Sequence, residues 1–146
     1  MLNEKLKIQI DKDMDLRTDL ERYALASILR AICEQFDVTK EELLSKRRHQ
    51  SLVLPRHIMY YLAYRFTGYT LPKLGSLLER DHTTILYAHD KIIQNKKHDN
   101  DLALQIEHAH MLALTHETER QKRLTQYREE VQEMIYRIKT ERLNGL

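Results

Sequence analysis

Thr70-Leu71-Pro72-Lys73-Leu74-Gly75-Ser76-Leu77-Leu78-Glu79-Arg80-Asp81-His82-Thr83-Thr84-Ile85-Leu86-Tyr87-Ala88-His89-Asp90-Lys91-Ile92 is the stretch that decides the fold. It reads as two helices joined by a tight turn. Thr70 is placed to cap the first, and Pro72 suits its first turn, where a missing N–H has no partner to lose. Leu71, Leu74, Leu77 and Leu78 are expected to face inward. The turn falls at Glu79-Arg80. Asp81 then caps a helix that runs on to Lys97, with Ile85, Leu86, Ala88 and Ile92 spaced for a core. His82, Thr83 and Thr84 fall in its first turn and point past the helix end. A short helix, a tight turn and a second helix opening with small polar side chains make a helix-turn-helix.

Working outward from it, the same 3.6-residue rhythm recurs. Leu20, Ala24, Ile28, Ala31, Ile32 and Phe36 predict a helix over 16–36. Thr39 and Glu42 form the pattern of a capping box ahead of a short helix, TKEELLS. A loop, SKRRHQS at 45–51, places Lys46, Arg47 and Arg48 in a row. A further helix is expected from Pro55 to Thr67, with Ile58, Tyr61, Leu62 and Phe66 on one face and Gly68 as a left-handed stop. After Asn100 the chain is helix-forming almost to its end. Leu102, Ile106, Ala109 and Leu112 or Leu114 share one side. Leu124, Tyr127, Val131, Met134 and Ile138 then step by three and four, a two-heptad seam. Leu6, Ile8 and Ile10 alternate like a strand among helix formers, so residues 1–15 stand as an N-terminal arm.

Composition agrees with a helical chain. Among 146 residues there are 3 Gly and 2 Pro, far too few turns for a many-stranded barrel or sandwich. The single cysteine, Cys33, excludes an internal disulfide and a Cys-rich metal site. It is expected to serve as a small buried hydrophobe. No run of apolar residues is long enough to span a bilayer, and MLNEKLKIQIDKD lacks the apolar core of a signal peptide. The expected setting is cytoplasmic and nucleoid-associated.

The net charge of +2 hides a partition. Residues 39–97 carry 11 Lys/Arg and 5 Asp/Glu, a net +6, while the rest carries 13 and 17, a net −4. A basic centre between acidic arms is the footprint of a polyanion binder. The residues say which polyanion. A helix of this length fits the major groove of duplex DNA, and its N-terminal turn is the part that reaches base edges. Asp81 is suited to accept from a cytosine amine and His82 to donate to a purine N7 or a phosphate. The methyl of Thr83 or Thr84 suits a thymine methyl, and its hydroxyl a phosphate. Lys46, Arg47 and Arg48 form a flexible basic segment of the kind that enters a minor groove. Arg56 and His57 add donors at another helix start.

From about Asp19 to Lys97 the chain resembles the C-terminal DNA-binding domain of the bacterial replication initiator DnaA. The resemblance is carried by Leu43-Leu44-Ser45-Lys46-Arg47-Arg48, Pro55-Arg56, Leu71-Pro72, Gly75, and above all Arg80-Asp81-His82-Thr83-Thr84 with Ala88 and Lys91-Ile92. It implies an all-α, multi-helix, Trp-repressor-like helix-turn-helix domain over 16–98, with a long C-terminal helical extension over 99–146. It implies that Asp81, His82 and Thr83 touch bases and Thr84 a phosphate. It further implies that Arg48 enters the minor groove and that Arg56 and its neighbour contact the duplex. Lys91, in the same signature, completes the DNA-binding set. The expected partner is double-stranded DNA with a site like the DnaA box.

Four positions depart from the family pattern. Leu78 and Glu79 stand where glycines usually precede the signature arginine, His57 stands for a common Gln, and Leu54 for an occasional basic residue. DnaA also carries an ATPase module. These residues contain no G-x-x-x-x-G-K-[ST] loop, so no nucleotide cofactor is expected and the reading is a stand-alone DNA reader. It would act in replication or as a phage or plasmid regulator.

No nucleophile motif, H-E-x-x-H signature or Gly-rich cofactor loop suggests an enzyme. His108, His110 and His116 raise a metal, but 108 and 110 point about 200° apart on one helix and cannot share an ion. The rival function is a helical protein-interaction module that kept the initiator-like fold. Its C-terminal helix would bind a protein partner or form a homodimer through residues 117–143. The seam itself either packs back on the first helices or pairs with a second copy.

Overall fold

The structure, a computed structural model, describes residues 22–145. The expected N-terminal arm and Leu20 lie outside them. Every regular element among the described residues is a helix, and no strand occurs among them. In chain order the elements are α1 (Leu25–Phe36), α2 (Lys40–Leu44), a 3-10 turn (Gln50–Leu52), α3 (Val53–Phe66), α4 (Leu71–Leu78), α5 (His82–Lys96) and α6 (Asn100–Leu143).

The caps fall where the side chains predict. Thr39 accepts from the Glu42 N–H at 3.1 Å, and its hydroxyl donates to the Glu42 carboxylate. Thr70 accepts from the Lys73 N–H, and Asp81 from the Thr83 N–H. Each satisfies a helix-start donor that would otherwise lack a partner. Gly68 follows α3 at φ +78°, as expected of a left-handed stop.

The first helix begins later than its apolar rhythm suggests. Arg22, Tyr23 and Ala24 are not helical. Their backbone donors are used across the fold instead. The Tyr23 N–H bonds the Phe66 carbonyl, and the Ala24 N–H bonds the Glu117 carboxylate at 3.0 Å. That carboxylate also accepts from the Ser27 hydroxyl at 2.7 Å. Burial would raise the Glu117 pKa, but these hydrogen bonds, with those from Gln121 and Arg120, hold it below the ordinary value.

α3 is the central element. Ile58, Met59, Tyr60, Tyr61, Leu62 and Ala63 are all buried, so it is covered on every side rather than on one stripe. α1, α5 and α6 pack around it. Ile28, Ile32, Leu43, Leu74 and Ile85 complete the fully enclosed centre. Two expected core residues face outward instead. Leu77 is 45% exposed and Leu86 36%, each on a side of its helix that no described element covers. Cys33 is half-buried against the core, and burial followed by Glu41 raises its thiol pKa.

α6 runs unbroken for 44 residues, about 66 Å. Leu102, Ile106, Ala109 and Ala113 of its first half belong to the core. No described residue beyond His116 is buried, so the second half projects away from the body and the seam does not pack back on the described helices.

Candidate nucleic-acid interface

α4, the turn and α5 form the helix-turn-helix. The two helices meet backbone to backbone at Gly75. A Cβ there would stand 2.7 Å from the Arg80 carbonyl oxygen. The Arg80 N–H in turn bonds the Gly75 carbonyl at 2.9 Å. Glu79 takes the left-handed conformation, φ +53°, at the position where the family usually has glycine. A Cβ in that region costs about 1–2 kcal/mol.

This geometry puts Asp81, His82, Thr83 and Thr84 on the surface at the start of α5. One Asp81 oxygen accepts from both the Thr83 N–H, at 2.9 Å, and the Thr83 hydroxyl, at 2.7 Å. Those bonds lower the Asp81 pKa, so it stays ionised. Its second oxygen makes no hydrogen bond among the described residues and stays open to an outside donor. The Thr84 N–H closes the first turn on the Asp81 carbonyl. Tyr87, 62% exposed, and Lys91 continue the outer face of α5, with the Lys91 ammonium 5.7 Å from the Tyr87 ring centre.

The basic loop is fastened to this surface by two arginines. Arg56, from the first turns of α3, donates to the carbonyls of Leu43 (3.0 Å), Glu42 (3.1 Å), Ser45 (2.8 Å) and Arg47. These acceptors include carbonyls at the end of α2 that no helical N–H reaches. Arg80, from the turn, donates to the Tyr60 hydroxyl at 3.1 Å and to the same Ser45 carbonyl. The Lys46 ammonium then reaches the Glu79 carbonyl. Loop and turn are thus tied at Ser45 and at Lys46. Burial, with Arg80 adding to it, lowers the Arg56 pKa against the opposing effect of Tyr60.

Lys46, Arg47 and Arg48 are exposed. Among the described residues the Arg47 and Arg48 side chains make no hydrogen bond or ion pair. His57 is half-buried at the α3 start. Burial pushes its pKa down and Lys91 pushes it further, so it is neutral at pH 7. The structure therefore gathers the basic loop, the α3 start and the first turns of α5 on adjoining elements. Arg56 is the exception among the candidates, since its donors are spent on the protein itself. Arg80 is the residue sequence reasoning left without a role. Apart from the adjacent Glu79 carbonyl, its partners are carbonyls and a tyrosine 20 to 36 positions away, which leave no local pattern.

Residues 25–92 match the family described as the bacterial dnaA protein helix-turn-helix. Over that span the chain is similar to that helix-turn-helix family. Relatives named chromosomal replication initiator protein DnaA align with it. That of Caldanaerobacter subterraneus subsp. tengcongensis is 38% identical over 76 residues, 52% of this chain and 17% of that protein. That of Lacticaseibacillus casei is 37% identical over 83 residues, 56% of this chain and 18% of that protein. That of Xanthobacter autotrophicus is 40% identical over 104 residues, 70% of this chain and 21% of that protein. The chain thus spans about a fifth of the length of these curated relatives. Among the described residues no cluster of His, Cys, Asp and Glu is arranged to hold a metal ion. None of their helices is long and apolar enough to cross a membrane.

Proposed function

We propose that this DnaA-like domain reads double-stranded DNA, with α5 in the major groove and the 46–48 loop in the minor groove beside it. The observation that carries the reading is the double tie between loop and turn. Arg56 and Arg80 converge on the Ser45 carbonyl, so the basic loop holds a fixed position relative to the start of α5. Asp81, His82 and Thr83 then meet base edges and Thr84 a phosphate. Arg48 enters the minor groove, while Lys46, Arg47 and Lys91 neutralise phosphates. Arg56 acts by positioning that loop. A neutral His57 keeps one donor and one acceptor, as the amide of the family's common Gln does, and suits a contact beside α5.

The target in this reading is a site like the DnaA box, and the role is regulation of replication at the nucleoid by binding rather than by catalysis. These residues hold no phosphate loop, so ATP-driven assembly lies outside what they do. Titration of a labelled duplex carrying such a box against salt tests the proposal. Six phosphate contacts predict a log–log slope of about −5. Arg48→Ala should weaken binding to every sequence while leaving the melting temperature unchanged. A slope near zero, or an Arg48→Ala affinity equal to the parent's, would overturn the proposal.

A further inference from the structure

The apolar face of α6 does not stop where the body stops. Leu102, Ile106, Ala109, Ala113 and His116 face the core at spacings of four and three. The rhythm continues through Leu124, Tyr127, Val131, Met134 and Ile138, with Leu124, Val131 and Ile138 one position beyond where a strict seven-residue repeat of Leu102, Ala109 and His116 would fall. A straight helix drifts by about 20° per heptad against a strict seven-residue repeat, which accounts for the offset. On this stretch nothing among the described residues covers the face. Tyr127 is 65% exposed, Met134 58% and Ile138 46%. Ile135, 40% exposed, widens the face on one edge.

From this face and the charges beside it, we infer that a second copy of the chain covers the seam, with the two α6 helices antiparallel. Leu124, Val131 and Ile138 take the a positions and Tyr127 and Met134 the d positions of a heptad. The g edge is then Arg123, Glu130, Arg137, and the e edge Arg128, Ile135, Arg142. In a parallel pair each g residue faces the e residue of the next heptad on the other helix. Arg123 would meet Arg128 and Arg137 would meet Arg142, like charges at both ends of a short seam. Reversing one helix turns g toward g and e toward e. In the register that sets Val131 against Met134 and Tyr127 against Ile138 of the other copy, Glu130 of each helix meets Arg137 of the other, so by symmetry the contact occurs twice. The seam spans 15 residues, about 22 Å, which suits a reversible dimer rather than an obligate one. Two antiparallel helices carry their DNA-reading bodies to opposite ends of the pair. The pairing rests on α6 alone and stands whether or not those bodies bind DNA.

Sedimentation of the full chain across the micromolar range tests this. The parent chain should pass from monomer to dimer as concentration rises. Glu130→Arg makes the g edge wholly positive, and the double variant Arg123→Glu, Arg137→Glu makes it wholly negative. Each alone should self-associate about tenfold more weakly or worse, with unchanged helical circular dichroism, and an equimolar mixture should recover the dimer. A parallel pair would respond in the opposite way. The double variant would associate more tightly, and Glu130→Arg, facing Ile135, would change little. Either that pattern, or a parent chain monomeric at every concentration, would overturn the inference.

Discussion

Thr83 has two tasks that a single substitution separates. Its backbone N–H completes the Asp81 cap, and its side chain faces outward. Thr83→Ala keeps the backbone cap and removes the side chain together with its hydroxyl bond to Asp81. The ratio of specific to nonspecific duplex affinity should fall by about 1–3 kcal/mol, with little change in nonspecific binding. Competition titrations with a scrambled duplex measure it. Arg80 gives the contrasting case. It lies among protein acceptors, yet Arg80→Gln should remove its bonds to Tyr60 and Ser45 and lower stability by about 1.5–3 kcal/mol. Affinity for all duplexes should drop with it, because the basic loop loses one of its ties. Urea denaturation read beside binding separates the two effects. Such a residue is invisible to pattern reading. An exposed-looking arginine in a signature motif invites a DNA contact, and only the fold shows which arginine bonds the chain's own carbonyls.

The elements most legible in the sequence were those with a local physical signal. Thr39, Thr70 and Asp81 announce helix starts because a short side-chain oxygen satisfies a free N–H. Gly68 announces a stop through its tolerance of positive φ. The turn at Glu79-Arg80 is legible too, although its left-handed residue is not glycine. What the sequence concealed depends on remote partners. Ala24 fits the helical rhythm, yet its N–H is drawn to Glu117, 93 positions on, so the helix starts after it. Leu77 and Leu86 fit core spacing but face outward, because spacing defines a stripe and says nothing of how wide the neighbouring element is. In α3 the polar-capable Tyr60 and Tyr61 are buried among apolar residues, which hides a helix enclosed on all sides. The turn supports a paired prediction. Gly75→Ala forces a Cβ to within 2.7 Å of the Arg80 carbonyl and should destabilise by about 1–3 kcal/mol. Glu79→Gly relieves a left-handed Cβ and should stabilise by about 0.5–1 kcal/mol. Thermal melts of the two variants should therefore move in opposite directions.

For the molecule as a whole, two histidines set the response to acid. His89 of α5 is buried against Tyr61 and Tyr64. Burial lowers its pKa, with Arg65 and Lys96 adding to that and Asp90 opposing it. His57 is lowered in the same way. Below about pH 6.5, the ordinary histidine value, the unfolded chain binds protons that these residues refuse in the native state. Their contribution is therefore complete above that pH and is lost as pH falls through the native values. Melting temperature should drop between pH 7.5 and 5.5, taken as roughly one unit either side of that value, and His89→Gln should flatten the slope. The second half of α6, by contrast, stands outside this body and should be silent in such melts at low concentration. The task proposed for the body is tested with DNA. Selection from a pool of random duplexes with the intact chain, followed by sequencing, puts it to the most direct test. Enrichment of a motif close to the nine-base DnaA box, lost for Thr83→Ala, is the predicted result, and a pool that shows no enrichment at all would contradict it.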